Sequence, residues 1–114
     1  MTSRMPPGKS ELFLGTLDML ILKTLTLQPM HGYAIGQHIA AMSDGVFKVE
    51  QGSLYPALER LLANGWATAK WGSTATKRTA RFYTITASGR KHLGASLERY
   101  DRAGVAIARV LGRP

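Results

Sequence analysis

The apolar positions of this 114-residue chain fall into blocks of different period, and each change of period marks an element. In the block from Leu12 to Leu27, Leu17, Ile21 and Leu25 recur every four residues, with Leu20 and Leu22 beside them. That spacing predicts a helix with a wide apolar surface, capped by Ser10 or Thr16 and ended by Pro29. Such a helix must be covered on several sides, and a second subunit is one candidate cover. The block MHGYAIGQHIAAMSDG sets Ile35 and Ile39 one turn apart, with Met42 following. It predicts a helix over about Gly32–Met42 that stops at Ser43-Asp44-Gly45, with Gly36 packed closely against a neighbour. The alternation in VFKVE predicts a strand of three or four residues.

The stretch EQGSLYPALERLLANGW predicts a third helix, with Ser53 as N-cap, Leu54 as first helical residue and Asn64-Gly65 as its stop. At about 100° per residue, Leu54, Leu58, Leu61 and Leu62 share one face. Pro56, Arg60 and Ala63 share the opposite face, Ser53 sits at the tip and Tyr55 lies on the flank. After Gly65 the period becomes two. WATAKW and RFYTIT form a hairpin around the polar loop GSTATKRTA. Thr86 then caps a last helix whose apolar positions Leu93, Leu97, Tyr100, Gly104, Ile107 and Leu111 follow a heptad seam. The seam spans under three heptads, too short for a free-standing coiled coil, and Gly104 on it marks either a close helix crossing or a weak point.

Length allows one domain. The order helix, helix, short strand, helix, hairpin, long helix gives a mainly α fold with a small β-hairpin: a winged helix-turn-helix plus a C-terminal dimerisation helix. Residues 1–11 read as a flexible arm, 12–86 as the winged-helix domain and 87–114 as the dimerisation helix.

Charge points to the partner. Fifteen Lys and Arg against seven Asp and Glu give +8. From Arg60 to Leu97 there is no acid, while Arg60, Lys70, Lys77, Arg78, Arg81, Arg90 and Lys91 all fall there. A one-signed segment suits a polyanion, and the bland alternative is a solvated basic face. There is no cysteine, which fits a reducing cytoplasm. No apolar run approaches the roughly 18 residues of a membrane span. His31, His38 and His92 form no zinc pattern, and no cofactor motif occurs.

GTLDMLILKTL (Gly15–Leu25), PMHGYAI (Pro29–Ile35), EQGSLYPALERLLANGW (Glu50–Trp66) and RFYTITASGRKHL (Arg81–Leu93) resemble the PadR family of transcriptional regulators. The likeness runs from about Leu14 to Leu93, and the short C-terminal part is similar to the compact subclass with one C-terminal helix. The resemblance implies a homodimer that binds operator DNA, usually as a repressor, and is released by a small molecule or another signal. It places DNA contacts on Ser53, Tyr55, Pro56 and Arg60 and on Lys77, Arg78 and Arg81 of the wing. It places dimerisation on the C-terminal helix. Family wings often carry acidic and asparagine residues, whereas Gly72-Ser73-Thr74-Ala75-Thr76 leaves this tip purely basic. Some compact relatives hold flat aromatic compounds between C-terminal helices with a tryptophan; here none follows Trp71, and Tyr100 is a weak substitute.

Each site residue also has a structural reading. Ser53 can serve only as a cap, and Tyr55 can pack its ring while its hydroxyl reaches a phosphate. Pro56 near a helix start can simply stiffen it. Arg60 can pair with Glu59 or Glu50. Trp66 and Trp71 suit core or strand pairing, and His31 a helix start. No nucleophile motif supports an enzyme. An RNA-binding winged helix would not need the seam, and a protein-interaction module would not need the acid-free basic segment.

Overall fold

The computed structural model describes residues 11–114, with side chains from Gly15 onward. The Ser10 cap and most of the N-terminal arm lie outside the described residues. The order is α1 (Glu11–Leu25), β1 (Met30–His31), α2 (Gly32–Met42), α3 (Gln51–Ala63), β2 (Ala67–Ser73), β3 (Thr79–Ile85) and α4 (Ala87–Leu111). The strands form one antiparallel sheet in the order β1-β3-β2. The expected hairpin is therefore three-stranded, because Met30 pairs with Tyr83 and His31 with Phe82.

Helix α1 is the centre of the core. Leu17, Met19, Ile21, Leu22, Thr24 and Leu25 are all buried, against α2, α3, α4 and β3 of the same chain. The wide apolar surface is thus covered largely within one chain. The Thr24 hydroxyl escapes an unpaired burial by donating to the Leu20 carbonyl at 2.8 Å. Thr16 lies inside α1, so it is not the cap.

Two expectations fail between α2 and α3. VFKVE forms no strand. Its alternation is one of burial: Phe47 and Val49 pack on the core while Val46, Lys48 and Glu50 face out. The free edge of β3 is taken by Met30–His31 instead. Helix α3 starts at Gln51 and not at Leu54, because the Glu50 carbonyl accepts from both Ser53 N (3.0 Å) and Leu54 N (2.9 Å). Glu50 is the N-cap, without a side-chain hydrogen bond. Ser53 therefore sits within the first turn, and Pro56 falls in the helix interior. There it removes the N–H that would bond the Gly52 carbonyl; both residues are exposed, so water can reach that carbonyl. At Gly36 the nearest atom to an added Cβ is the Val49 carbonyl at 3.8 Å, an ordinary contact. Close packing does not explain that glycine.

The end of α3 behaves as its sequence indicates. Gly65 turns left-handed at φ 73, Trp66 N bonds Leu61 O at 2.9 Å and Gly65 N bonds Leu62 O at 3.0 Å. That pair of bonds is the Schellman closure. Helix α3 is also tied sideways to α1. The Arg60 guanidinium donates twice to Asp18, through Nη2 at 2.8 Å and Nε at 3.2 Å.

The start of α4 locks onto this same corner. Thr86 caps α4 by accepting from Gly89 N, and its hydroxyl donates to the Gly65 carbonyl at 2.7 Å. Thr86 N donates to the Trp66 carbonyl. Gly89 lies so close to that carbonyl that a Cβ would collide with it. The His92 ring stacks on Trp66 at 3.5 Å with an interplanar angle of 10°. Leu93 enters the core at 6% exposure, but beyond it α4 leaves the body. At 25 residues it is about 37 Å long, and the molecule measures 51 × 29 × 25 Å.

One substitution made twice on α4 should act in opposite directions. Gly89→Ala forces a methyl onto the Trp66 carbonyl and should lower unfolding free energy by about 1–3 kcal/mol. Gly94→Ala, where an added Cβ meets nothing, should raise it by about 0.5–1 kcal/mol through helix propensity. Urea melts of the two variants read both signs, and a Gly89→Ala midpoint at or above wild type would refute the close contact. For the α1–α3 tie, a double-mutant cycle of Arg60→Ala and Asp18→Ala should give coupling of about 1 kcal/mol. That value is discounted because the Arg60 side chain remains 39% exposed; additive losses would mean the pair contributes nothing.

Candidate nucleic-acid interface

The exposed face of α3 gathers three of the predicted residues. Ser53 is half-buried, Tyr55 and Pro56 are exposed, and the leucines turn inward as the face analysis requires. The capping role of Ser53 is removed, since its side chain makes no cap bond. Its hydroxyl is available to an outside partner. Tyr55 packs its ring over Gly32 at the start of α2: a Cβ on Gly32 would lie 2.8 Å from the Tyr55 hydroxyl oxygen. Glycine there is what allows α2 and α3 to meet.

Arg60 does not join that face as a free cation. Its partner is Asp18, not Glu59 or Glu50, and a bidentate carboxylate takes up its fork. Hydrogen bonding to Asp18 raises its pKa above the ordinary value, against the opposing effect of burial. Arg60 fixes α3 to α1.

The wing tip is shorter than the sequence suggests. The strands continue to Ser73 and from Thr79, leaving a five-residue turn, Thr74–Arg78. It is highly organised. Lys77 N bonds Thr74 O at 2.9 Å and Thr74 N bonds Arg78 O at 2.8 Å. The Thr74 hydroxyl accepts from Arg78 N at 3.1 Å and pairs with the Thr76 hydroxyl at 3.2 Å. Lys77 takes the left-handed position at φ 63, where glycine or asparagine is favoured. The threonine-rich sequence is what holds this turn without a glycine. Lys77 and Arg78 are both exposed at the tip.

Arg81 lies further down the wing and is held from three sides. Glu59 of α3 approaches its Nη1 at 3.6 Å. Its guanidinium carbon is 6.0 Å from the Trp71 ring centroid and 5.8 Å from that of Tyr83. Arg81 thus braces the wing against the recognition helix. Burial pushes the Tyr83 phenol up; Arg81 acts against this, while Glu59 and Tyr55 add to it.

Between wing and α3 runs an open groove of about 860 Å³. Its lining brings together Tyr55, Arg78 and Arg81 with three further aromatic residues, Tyr33, Trp71 and Tyr83. Tyr33 and Trp71 were not among the expected site residues. Tyr33 carries a signal in retrospect, since it is a large ring on the side of α2 away from Ile35 and Ile39. Trp71 falls on the inward side of β2 with Ala67 and Ala69, yet it is exposed because the core ends before it. His31 takes the helix-start role expected of it, accepting Ala34 N on Nδ1 at 3.3 Å, and its ring meets Phe82 edge-on. Burial, and after it Arg99, hold the His92 imidazole below its usual pKa, with Asp18 opposing. Among the described residues no group of His, Cys, Asp and Glu could hold a metal ion, and no helix is long and apolar enough to cross a membrane.

Comparison with known proteins agrees with this geometry. The model of the Transcriptional regulator PadR-like family matches residues 21–95. A transcriptional regulator from Clostridium thermocellum is 28% identical, with 88% of this chain and 97% of that one aligned at a TM-score of 0.80. A PadR family transcriptional regulator from Eggerthella lenta is also 28% identical, over 89% of this chain and 86% of that one, at a TM-score of 0.73. An uncharacterized protein from Lysinibacillus sphaericus is 27% identical over 85 residues, which are 75% of this chain and 78% of that protein. The family model runs from α1 through both wing strands into α4, and it describes regulators and not enzymes: this chain belongs to the PadR-like family of DNA-binding transcriptional regulators.

Proposed function

We propose that the protein is a homodimeric repressor that binds a pseudo-palindromic operator through α3 and the basic wing, and that a small-molecule effector releases it. The observation that carries the reading is the pairing of an exposed α3 start with a wing tip whose only charges are Lys77 and Arg78. Lys77 holds a backbone conformation that is unfavourable for a lysine by roughly 1–2 kcal/mol, which the turn's hydrogen bonds offset. Phosphates on the wing supply sequence-independent affinity. Ser53, Tyr55 and Pro56 bring neutral groups to the groove floor, where discrimination arises. Arg81 acts here by bracing the wing, and Arg60 by fixing α3.

Dimerisation rests on α4. Leu93 belongs to the chain's own core, which shortens the seam to Leu97, Tyr100, Gly104, Ile107 and Leu111. Leu97, Tyr100, Ile107 and Leu111 are exposed, with Val105 and Val110 beside them. An apolar surface of that extent supports an intermolecular contact. Among the described residues nothing beyond its own helix lies within 4 Å of a Cβ built at Gly104, which suits close approach by a second helix. Two copies so joined would set two α3 helices about one DNA turn apart.

Selection of bound genomic fragments by the purified protein tests the whole reading: a recurring inverted repeat is expected, and recovery without any shared motif would reject it. For the wing, Lys77→Gly with Arg78→Ala keeps the left-handed turn while removing both charges. Affinity should fall on every duplex, and the log–log salt slope should shrink by about 0.9 for each phosphate that is no longer neutralised. An unchanged slope removes the wing from the DNA surface. For the dimer, native mass measurement should give twice the chain mass, and Ile107→Asp should give the monomer. A variant that stays dimeric would move the interface off α4.

A further inference from the structure

The groove between wing and α3 is lined by exposed aromatic rings from three different elements. Trp71 is 69% exposed, Tyr33 68% and Tyr55 43%. They come from β2, α2 and α3, and all three line the same space. The Trp71 position follows from the sheet register. Ala67 pairs with Ile85, Ala69 with Tyr83 and Trp71 with Arg81. These pairs share the inward face, and the first two close over the core. The third overhangs the groove, where the indole is largely exposed and has the Arg81 guanidinium 6.0 Å from its centroid.

Bases in a duplex are stacked on each other and offer only their edges. An unpaired base offers a π-face, and a basic groove set with aromatic rings is the arrangement that binds one. The charges suit a phosphate. Among the described residues no acceptor takes up the Arg78 side chain, while Glu59, the one acid lining the groove, already faces Arg81 at 3.6 Å. The groove volume of about 860 Å³ falls within the roughly 300–1,000 Å³ of small-ligand sites.

We propose that this groove is a stacking site for an unpaired nucleotide of a DNA strand, with the base on Trp71 and the tyrosines and the phosphate on Arg78. The protein then binds single-stranded DNA in addition to duplex. The site does not rest on the operator reading or on a dimer, since every wall belongs to one chain.

The test compares two end-labelled strands of about eight nucleotides, one of thymidines and one of abasic residues with the same phosphates. Fluorescence anisotropy should show the thymidine strand binding about tenfold tighter. Trp71→Ala should abolish that preference and leave the salt slope unchanged, while Trp71→Phe should keep most of it. Tyr33→Ala, on a different element, should reduce the preference independently. Equal affinity for the two strands, or a Trp71→Ala loss shared equally by both, would overturn the proposal. Duplex affinity measured on the same samples separates the outcomes. Retained duplex binding with no thymidine preference sinks only the stacking site, whereas loss of duplex binding by the wild type sinks the operator reading alone.

Discussion

The corner where α3 ends, β2 begins and α4 starts determines the rest of the arrangement. Four groups gather at Gly65 and Trp66: the Thr86 hydroxyl, Thr86 N, the backbone of Gly89 and, stacked on the indole, His92. Each contact is ordinary in strength, about 1 kcal/mol net for a hydrogen bond. Together they leave the first turn of α4 one position relative to the recognition helix. The direction in which α4 leaves the body follows from it, and with it the direction in which any partner must approach.

The second constraint is the burial of α1. A small domain has little core to distribute, and here one helix supplies a large part of it. Around that helix the chain closes with α2, α3, α4 and β3, and the Arg60–Asp18 pair registers α3 on it. Arg60 therefore sets how α3 sits on α1. Arg81 likewise joins the wing to α3 through Glu59. Two of the arginines expected at the DNA surface, Arg60 and Arg81, are thus also paired with acids of their own chain.

The periodic features were legible in the sequence. Ile35 and Ile39 marked α2, the leucines of α3 marked its inner face, Asn64-Gly65 its end, and Thr86 the cap of α4. These are local signals that the fold obeys. What escaped were non-local choices. Ser53 is an intrinsically good cap, but the Glu50 carbonyl can start the helix a turn earlier with two backbone bonds. VFKVE alternates like a strand, but an alternating burial pattern does not supply a ladder partner, and Met30–His31 had too few residues to register as a strand. Leu93 fits the heptad, yet it lies where α4 still touches the core. Trp71 has the side of a core residue and the environment of a surface one, because no sequence pattern says where the core stops along a strand.

The pairing of the α3 charges has a consequence for how the protein meets its target. Glu59 and Arg60 are the only charged residues within α3, and each is matched inside the chain, by Arg81 and Asp18. Helix α3 therefore presents no unpaired charged side chain. Lys77 and Arg78 at the wing tip, by contrast, are exposed. Under the proposed operator reading, approach and readout fall to different parts of the molecule: the wing tip draws the protein toward a duplex. In that reading the near-neutral α3 discriminates between sequences by its shape and hydroxyls rather than by its charge.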